Sequence, residues 1–166
     1  MHVPIPSLAQ SPHFAPESRV WVYVSNRLLT DQEAAQTTLE LQAFCRQWTA
    51  HNQALKATAE IFEKQFVILM VDETQAGASG CSIDKSVHFL EQLGQAIGVD
   101  FFERMRFAWV GNEGELQFAN RLELADAVKN QTVSDNTLMV NSLVQSKLEL
   151  AEKWLVPYGK SWHRRI

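Results

Sequence analysis

The chain has few cysteines and no long apolar segment, the features that cross-link small proteins or let them span a membrane. Only two of its 166 residues are cysteines, Cys45 and Cys81, which is too few for a disulfide framework, and their spacing fits no redox motif. The longest apolar run, residues 66–71, is too short to cross a membrane, and the first residues lack the pattern of a secretory signal. We therefore expect a cytoplasmic protein that does not insert into membranes.

Positive charge is also scarce, since 15 lysines and arginines face 19 acidic residues and give a formal net charge of −4. A chain with this balance has no general attraction to nucleic acid, so we expect no nucleic-acid partner. Hydrophobic residues make up 46% of the chain, with nine phenylalanines and five tryptophans. That composition is enough for the core of one domain without a stabilising metal.

Proline is concentrated at the N-terminus, where residues 1–18 hold four of the five prolines. This segment shows little periodicity and is predicted to be an extended arm, either loose or wrapped around the body. The remaining residues, 19–166, show no break in composition and are predicted to form a single α+β domain.

The body begins with strand and helix patterns in the order β-α-β-β-α-β. Residues 66–71 are apolar without alternation, which is typical of a strand covered on both faces. Residues 55–61 alternate between apolar and polar, which is typical of an edge strand with one face in water. The order predicts a ferredoxin-like core with an antiparallel sheet, in which the first and third strands are central. The six segments are, in order, residues 19–24, 30–51, 55–61, 66–71, 82–97 and 105–110.

A bare four-stranded sheet would leave one apolar face in water, so the pattern requires a cover. The C-terminal extension supplies candidates, namely a short helix at 122–128, a strand at 137–144 and a closing helix at 146–155. We expect this extension to lie on the second face of the sheet.

The loop from Ala78 to Ser86, which joins the central strand to the second helix, is the candidate binding site. Small residues let a ligand approach the backbone, and a helix N-terminus directs free N–H groups and partial positive charge at an anion. A small anion or the acidic end of a protein partner is the predicted ligand, and ordinary helix capping is the alternative. The predicted ligand-binding residues are Ser79, Gly80, Ser82, Lys85 and Ser86.

Cys81, inside this loop, supports a second hypothesis, a thiol-dependent enzyme or redox protein. A helix N-terminus stabilises a thiolate, and a base must come from elsewhere in the chain. The candidates are Asp72 and Glu73 at the end of the central strand, and His51 and His163. His88 lies two helical turns away, about 10 Å along the axis, which is too far for direct contact. The alternative is an inert thiol. No ligand spacing for a metal is present, and no cofactor is predicted.

Two segments resemble parts of an ABC-type ATPase. Residues 66–73 (FVILMVDE) are similar to a Walker B strand, and residues 78–80 (ASG) are similar to the signature loop. The phosphate-binding Walker A motif has no counterpart, because residues 80–86 (GCSIDKS) are one residue too short and lack its second glycine. The sequence therefore predicts that ATPase activity is absent.

The chain as a whole resembles a family of short proteins from Bacteroidetes-type bacteria, whose members often carry the label "ABC transporter ATPase". The resemblance covers residues 19–165 and implies that this label extends to the chain, but it implies no catalytic residues. The matching pieces are RVWVYVSNRLLT at 19–30, FVILMVDE at 66–73, SGCSIDKS at 79–86 and SWHRR at 161–165.

The basic end at 161–165 is predicted to be solvated, with an anion clamp as the alternative. The exposed edge of the strand at 55–61 permits a homodimer. Taken together, the residues favour a non-enzymatic domain that binds a small anion or partner at the Ser79–Ser86 loop, with the Cys81 enzyme as the alternative.

Overall fold

The computed structural model describes residues 3–166. Within this range the chain is a mixed α+β protein with antiparallel sheets. No helix in the range is both long and apolar enough to span a membrane. The elements are β1 (Arg19–Val24), α1 (Asp31–Gln47), β2 (Thr49–Ala50), β3 (Gln53–Ala54), β4 (Lys56–Phe62), β5 (Phe66–Asp72), α2 (Gly80–Ile97), β6 (Arg106–Val110), β7 (Leu116–Asn120), α3 (Arg121–Lys129), β8 (Leu138–Val140), α4 (Lys147–Glu152) and β9 (Leu155–Pro157).

The first sheet has three strands in the order β1-β5-β4, and every neighbouring pair is antiparallel. All seven residues of β5 are buried, which confirms that the apolar run forms the central strand. The alternating strand β4 lies at an edge, as its pattern predicts. The other predicted central strand, β1, is the opposite edge of this sheet.

The fourth predicted strand, β6, lies in a second sheet of order β7-β6-β8-β9. A tight turn explains this, because the N–H of Gly111 donates to the carbonyl of Glu115 at 2.7 Å and returns the chain beside β6 as β7. Gly114 has a φ of 87°, which glycine adopts without steric cost. The α+β class is confirmed, whereas the ferredoxin-like four-stranded sheet is not.

The two sheets pack face to face and divide the molecule into four layers. On β5, Val67 and Leu69 face the core that α1 and α2 share, while Ile68 and Met70 face the second sheet. This division follows from the period of two along a strand. The far side of the second sheet is covered by α3 and the C-terminal residues.

The predicted cover on the second face of the first sheet is present. Val140 on β8, Leu150 on α4 and Trp154 join the core cluster that contains Ile68 and Met70. Each side chain of this size contributes about 1.5–3 kcal/mol when it is fully buried. The C-terminal extension therefore contributes directly to the central core.

The N-terminal arm wraps the body, which is one of the two alternatives that the sequence left open. The Glu60 carboxylate on β4 accepts hydrogen bonds from the backbone N–H groups of Ser7 and Leu8, at 3.2 and 3.0 Å. The ammonium of Lys147 donates to the carbonyl of Phe14 at 2.7 Å. Both ends of the wrapped segment are thus fixed by charged side chains of the body.

Candidate functional site

The start of α2 is closed by a reciprocal cap between two serines. The Ser79 hydroxyl accepts from the N–H of Ser82 at 3.1 Å, and the Ser82 hydroxyl accepts from the N–H of Ser79 at 2.7 Å. The Ser82 hydroxyl also donates to the Ser79 carbonyl at 2.8 Å. These contacts use two of the three serine hydroxyl groups that the sequence predicts to bind a ligand, and they match the capping alternative.

The five predicted ligand-binding residues point in different directions. Ser82 and Ser86 are buried, and the Ser86 hydroxyl donates to the carbonyl of Ile83 at 2.6 Å within the helix. Gly80 and Lys85 are exposed. The residues therefore share a helix end, but two of the five side chains are directed into the protein.

Acidic charge already lies beside this helix end. The Glu73 carboxylate accepts a hydrogen bond from the N–H of Ala78 at 2.8 Å, and the Arg19 guanidinium lies 3.9 Å from the same carboxylate. A second anion at this position would be repelled by Glu73. The electrostatics of the loop are therefore less favourable to an anion than the sequence alone indicates.

Asp72 lies on the opposite face of the sheet from α2 and anchors the N-terminal arm. Its carboxylate accepts from the backbone N–H groups of Ala15 and Thr74, at 3.1 and 3.0 Å, and lies 3.6 Å from the Lys56 ammonium. The hydrogen bond from Ala15, followed by those from Thr74, lowers the pKa of Asp72 from 3.8 to about 2. The structure therefore does not bring Asp72 and Cys81 together.

The two cysteines have contrasting environments. Cys81 is exposed at the start of α2, whereas Cys45 is buried in the core beneath α1. Burial raises the pKa of the Cys45 thiol to about 12. Cys45 is therefore a protonated core residue, and Cys81 is the thiol that solvent reaches.

A separate cavity of about 380 Å³ opens between the two sheets at the free edge of β1. Its volume is within the range of small-ligand pockets, and its walls combine aromatic rings with a few charged groups, as such pockets commonly do. The residues that line it are Val22, Tyr23, Val24, Phe101, Phe102, Glu103, Arg104, Arg106, Phe107, Ser142, Leu143 and Trp162.

Arg106, the first residue of β6, is one of the residues that line this cavity. Its Nε donates to the side-chain oxygen of the buried Gln65 at 2.6 Å, and its guanidinium carbon lies 5.2 Å from the centroid of the Phe118 ring. Across residues 3–166 no carboxylate lies within 4 Å of Arg106. The guanidinium is thus held in position, half-buried, without an acidic partner.

The other ionisable groups leave the cavity with a net positive lining. Arg104 is exposed at the rim and forms no ion pair within the described range. The Glu103 carboxylate accepts from the N–H of Met105 at 2.8 Å. Burial raises the pKa of Tyr23, and the nearby Ser86 hydroxyl partly offsets this. At neutral pH, Tyr23 is an uncharged hydroxyl and two arginines face one glutamate.

The C-terminal tail contributes one wall residue, Trp162, to the cavity. The Trp162 indole lines the cavity and donates to the side-chain oxygen of Asn141 at 3.1 Å, and its ring stacks on His163 with centroids 3.8 Å apart. His163 is buried, which lowers its pKa to about 4 and keeps it neutral. The predicted solvation of the tail is correct for Arg164 and Arg165 and wrong for His163.

Sequence reasoning missed the cavity and its arginine. The pattern of residues 105–110 predicts only a strand, although Arg106 interrupts an otherwise apolar run and shares a face with Ala108 by the period of two. A cation on an apolar strand face is the signal that was available. The partners that hold it, Gln65 and Phe118, lie in other strands or turns and have no local pattern in common with Arg106.

Comparisons of the chain with protein-family models, with curated proteins and with solved structures find no match. The resemblance to the short bacterial family therefore stays a prediction. In the part of the chain that the structure describes, no three histidine, cysteine, aspartate or glutamate side chains come together as metal ligands. Arguments about function thus depend on the two sites described above.

Proposed function

We propose that this domain binds a small anionic ligand without transforming it, and that the ligand lies in the cavity between the sheets. The observation that carries the proposal is the half-buried guanidinium of Arg106, which lines the cavity and has no carboxylate within 4 Å in residues 3–166. Removing a charged group from water is costly unless a partner of opposite charge replaces the water. A carboxylate or phosphate of a ligand is such a partner.

The geometry of Arg106 favours recognition of a planar or branched anion. Because Nε is bonded to Gln65 and one face of the group lies against Phe118, the orientation of the guanidinium is fixed. The remaining N–H groups form a fork that suits two oxygens of one carboxylate or phosphate. Arg104 at the rim adds positive charge that attracts an anion to the entrance.

The N-terminus of α2 is a second candidate site for the same function. Lys85 is exposed there, and the backbone of Gly80 is open, since an added Cβ would meet no atom within 4 Å. The Glu73 carboxylate beside Ala78 opposes an anion at this end. The inter-sheet cavity therefore carries the stronger argument.

The thiol-dependent alternative depends on the exposure of Cys81 at the same helix end. Its proposed base, Asp72, is on the other face of the sheet and hydrogen-bonded to the arm. A thiol reaction would need one of the other candidate bases, Glu73, His51 or His163. We therefore place binding ahead of catalysis.

Thermal unfolding in the presence of inorganic phosphate, and separately of succinate, at constant ionic strength tests the proposal. We expect both anions to raise the melting temperature of the unaltered protein, because a ligand that binds only the folded state stabilises it. Arg106→Met keeps an apolar side chain of similar length and removes the charge, so it should abolish the increase in melting temperature. Lys85→Ala, which alters only the α2 site, should leave the increase unchanged.

Arg106→Lys refines the result, because lysine keeps the charge but loses the fixed fork. We expect it to retain a minor part of the increase in melting temperature. If Lys85→Ala removes the effect of phosphate and Arg106→Met does not, the anion binds at α2 and the cavity proposal is wrong. If neither anion changes the melting temperature of the unaltered protein, anion binding itself is wrong.

A further inference from the structure

The free edge of β1 is occupied at both ends by other segments of the chain. Near its start, the N–H of Val20 donates to the carbonyl of Gln145 at 3.0 Å, and Arg19 forms an isolated antiparallel bridge with Ser146. Near its end, the carbonyl of Val24 accepts from the N–H of Glu103 at 3.1 Å. Between these contacts the strand edge is open.

The opening exposes the backbone of Val22. Val20 and Val24 form their backbone hydrogen bonds on the side away from β5. In an antiparallel pair, alternate residues direct their N–H and C=O toward the partner strand, so those of Val22 also point away from β5. Neither group has a hydrogen-bond partner within residues 3–166. Val22 and Arg106 both line the inter-sheet cavity, so the open strand edge and the arginine belong to the same site.

The length of the opening limits what can enter. Val20 and Val24 are four residues apart, which is about 13 Å along a strand. Segments of the same chain already pair with both of these residues. Only a short extended stretch of two or three residues fits between them, so the end of a chain suits the opening better than a strand that passes through it.

The charges in the cavity indicate which end of a chain would fit. Arg104 and Arg106 outnumber Glu103, whose carboxylate already accepts from the Met105 backbone. A C-terminal carboxylate complements this lining, whereas an N-terminal ammonium would be repelled. The rings of Phe101 and Phe107 form apolar wall for the side chain of the last residue.

We propose that the anion of the cavity is the C-terminal carboxylate of an extended peptide, whose last residues add to β1 through the N–H and C=O of Val22. This deepens the proposed function and rests on it, because the carboxylate binds the same Arg106. Main-chain hydrogen bonds to a strand edge supply affinity in this mode, and pockets for alternate side chains supply specificity.

Calorimetric titration with synthetic peptides tests the inference on the full chain. The main probe is acetyl-Thr-Val-Thr-Val with a free carboxyl group, compared with the same peptide as its C-terminal amide and with acetate. We expect the free acid to bind at least about tenfold more tightly than either, because only it supplies both the carboxylate and the strand.

Methylation of single peptide nitrogens tests strand addition without altering the protein. In a paired strand, alternate N–H groups face the partner, so methylation at one position should weaken binding about tenfold and methylation at the next should change it little. Arg106→Met should abolish binding of the peptide and of phosphate. Arg46→Met, a matched loss of an exposed arginine on α1, should leave both unchanged.

Each outcome decides between the two proposals. If phosphate binds through Arg106 but the peptide binds no better than acetate, or if N-methylation has no alternating effect, the strand inference is wrong and the proposed function stands. If phosphate and peptide both fail to bind, both proposals are wrong. If the protein sediments as a dimer that the peptide dissociates, a second copy occupies the edge and the peptide inference is wrong.

Discussion

The guanidinium carbon of Arg106 lies 5.2 Å from the centroid of the Phe118 ring, and the two residues belong to the paired strands β6 and β7. Both side chains are on the face that packs against the first sheet, where the Nε of Arg106 also donates to Gln65. An aromatic face stabilises a cation by about 0.5–2 kcal/mol, depending on how far water is excluded. The cavity is therefore lined by an arginine whose guanidinium is held from two sides.

Gln65→Leu should release one of these two restraints. The Nε–H of Arg106 would lose its acceptor, so we expect the free energy of unfolding to fall by about 1 kcal/mol and the affinity for phosphate to decrease. Urea denaturation and calorimetry measure the two effects. Gln53→Leu, at an exposed position on β3, is the matched control and should change neither. Unchanged phosphate affinity in Gln65→Leu would show that Gln65 does not orient the arginine.

The parts of the fold that the sequence predicts are those with a local signal. The period of two on β4, the continuous apolar run of β5 and the Thr30–Glu33 capping box are each visible within a few residues, and the box forms with hydrogen bonds of 2.9 and 3.0 Å. The partner of β6 is different. Pairing with β7 or with β1 satisfies the same apolar pattern, so the turn at Gly111 decides it.

The candidate site divides in the same way. The sequence predicts the start of α2 to within a few residues, because capping residues and small residues are recognisable from a short stretch of sequence. The cavity depends on Gln65, Arg106 and Trp162, which lie in three separate segments that only the tertiary structure brings together. A pattern search along the chain therefore finds the helix end and misses the cavity.

Asp72→Asn should weaken the attachment of the N-terminal arm. The folded pKa of about 2 is below the ordinary 3.8, so the ionised carboxylate stabilises the fold above pH 3.8, and this stabilisation is lost as the pH falls toward 2. We expect the variant to be less stable than the parent by about 1–3 kcal/mol at neutral pH and the difference to shrink over that acid range.

Urea denaturation at several pH values measures this difference, and limited proteolysis reports on residues 3–18. The Asp84→Asn variant, altered at an exposed residue of α2, should behave like the parent at every pH. A constant gap between Asp72→Asn and the parent down to pH 2 would contradict the assignment of the low pKa to Asp72.

The two thiols should differ sharply toward iodoacetamide. Cys81 is exposed, whereas Cys45 is buried with its pKa raised to about 12, so at pH 8 we expect modification of Cys81 and protection of Cys45 in the native protein. Peptide mass analysis separates the two sites. Cys81→Ser should leave phosphate affinity unchanged, and a loss of affinity would favour the thiol site at α2 over the cavity.

Gly94→Ala should destabilise the protein although alanine is the better helix former. Gly94 lies inside α2, where an added Cβ would overlap the carbonyl oxygen of Val99 and lie 3.4 Å from the Phe101 ring. Alanine gains about 1 kcal/mol of helix propensity over glycine, but a clash with fixed backbone in a packed core costs about 1–3 kcal/mol. We therefore expect a net loss of stability.

The same substitution tests the wall of the cavity, because Phe101 lines it. A shift of the segment from Val99 to Phe101 away from α2 should lower phosphate affinity along with the melting temperature. Gly80→Ala is the matched control, since an added Cβ there meets nothing within 4 Å, and it should leave phosphate affinity unchanged without lowering the melting temperature. If Gly94→Ala instead stabilises the protein through helix propensity, then the backbone at Val99 can move away from α2 at little cost. In that case the contact between α2 and Val99 does not fix the position of Phe101.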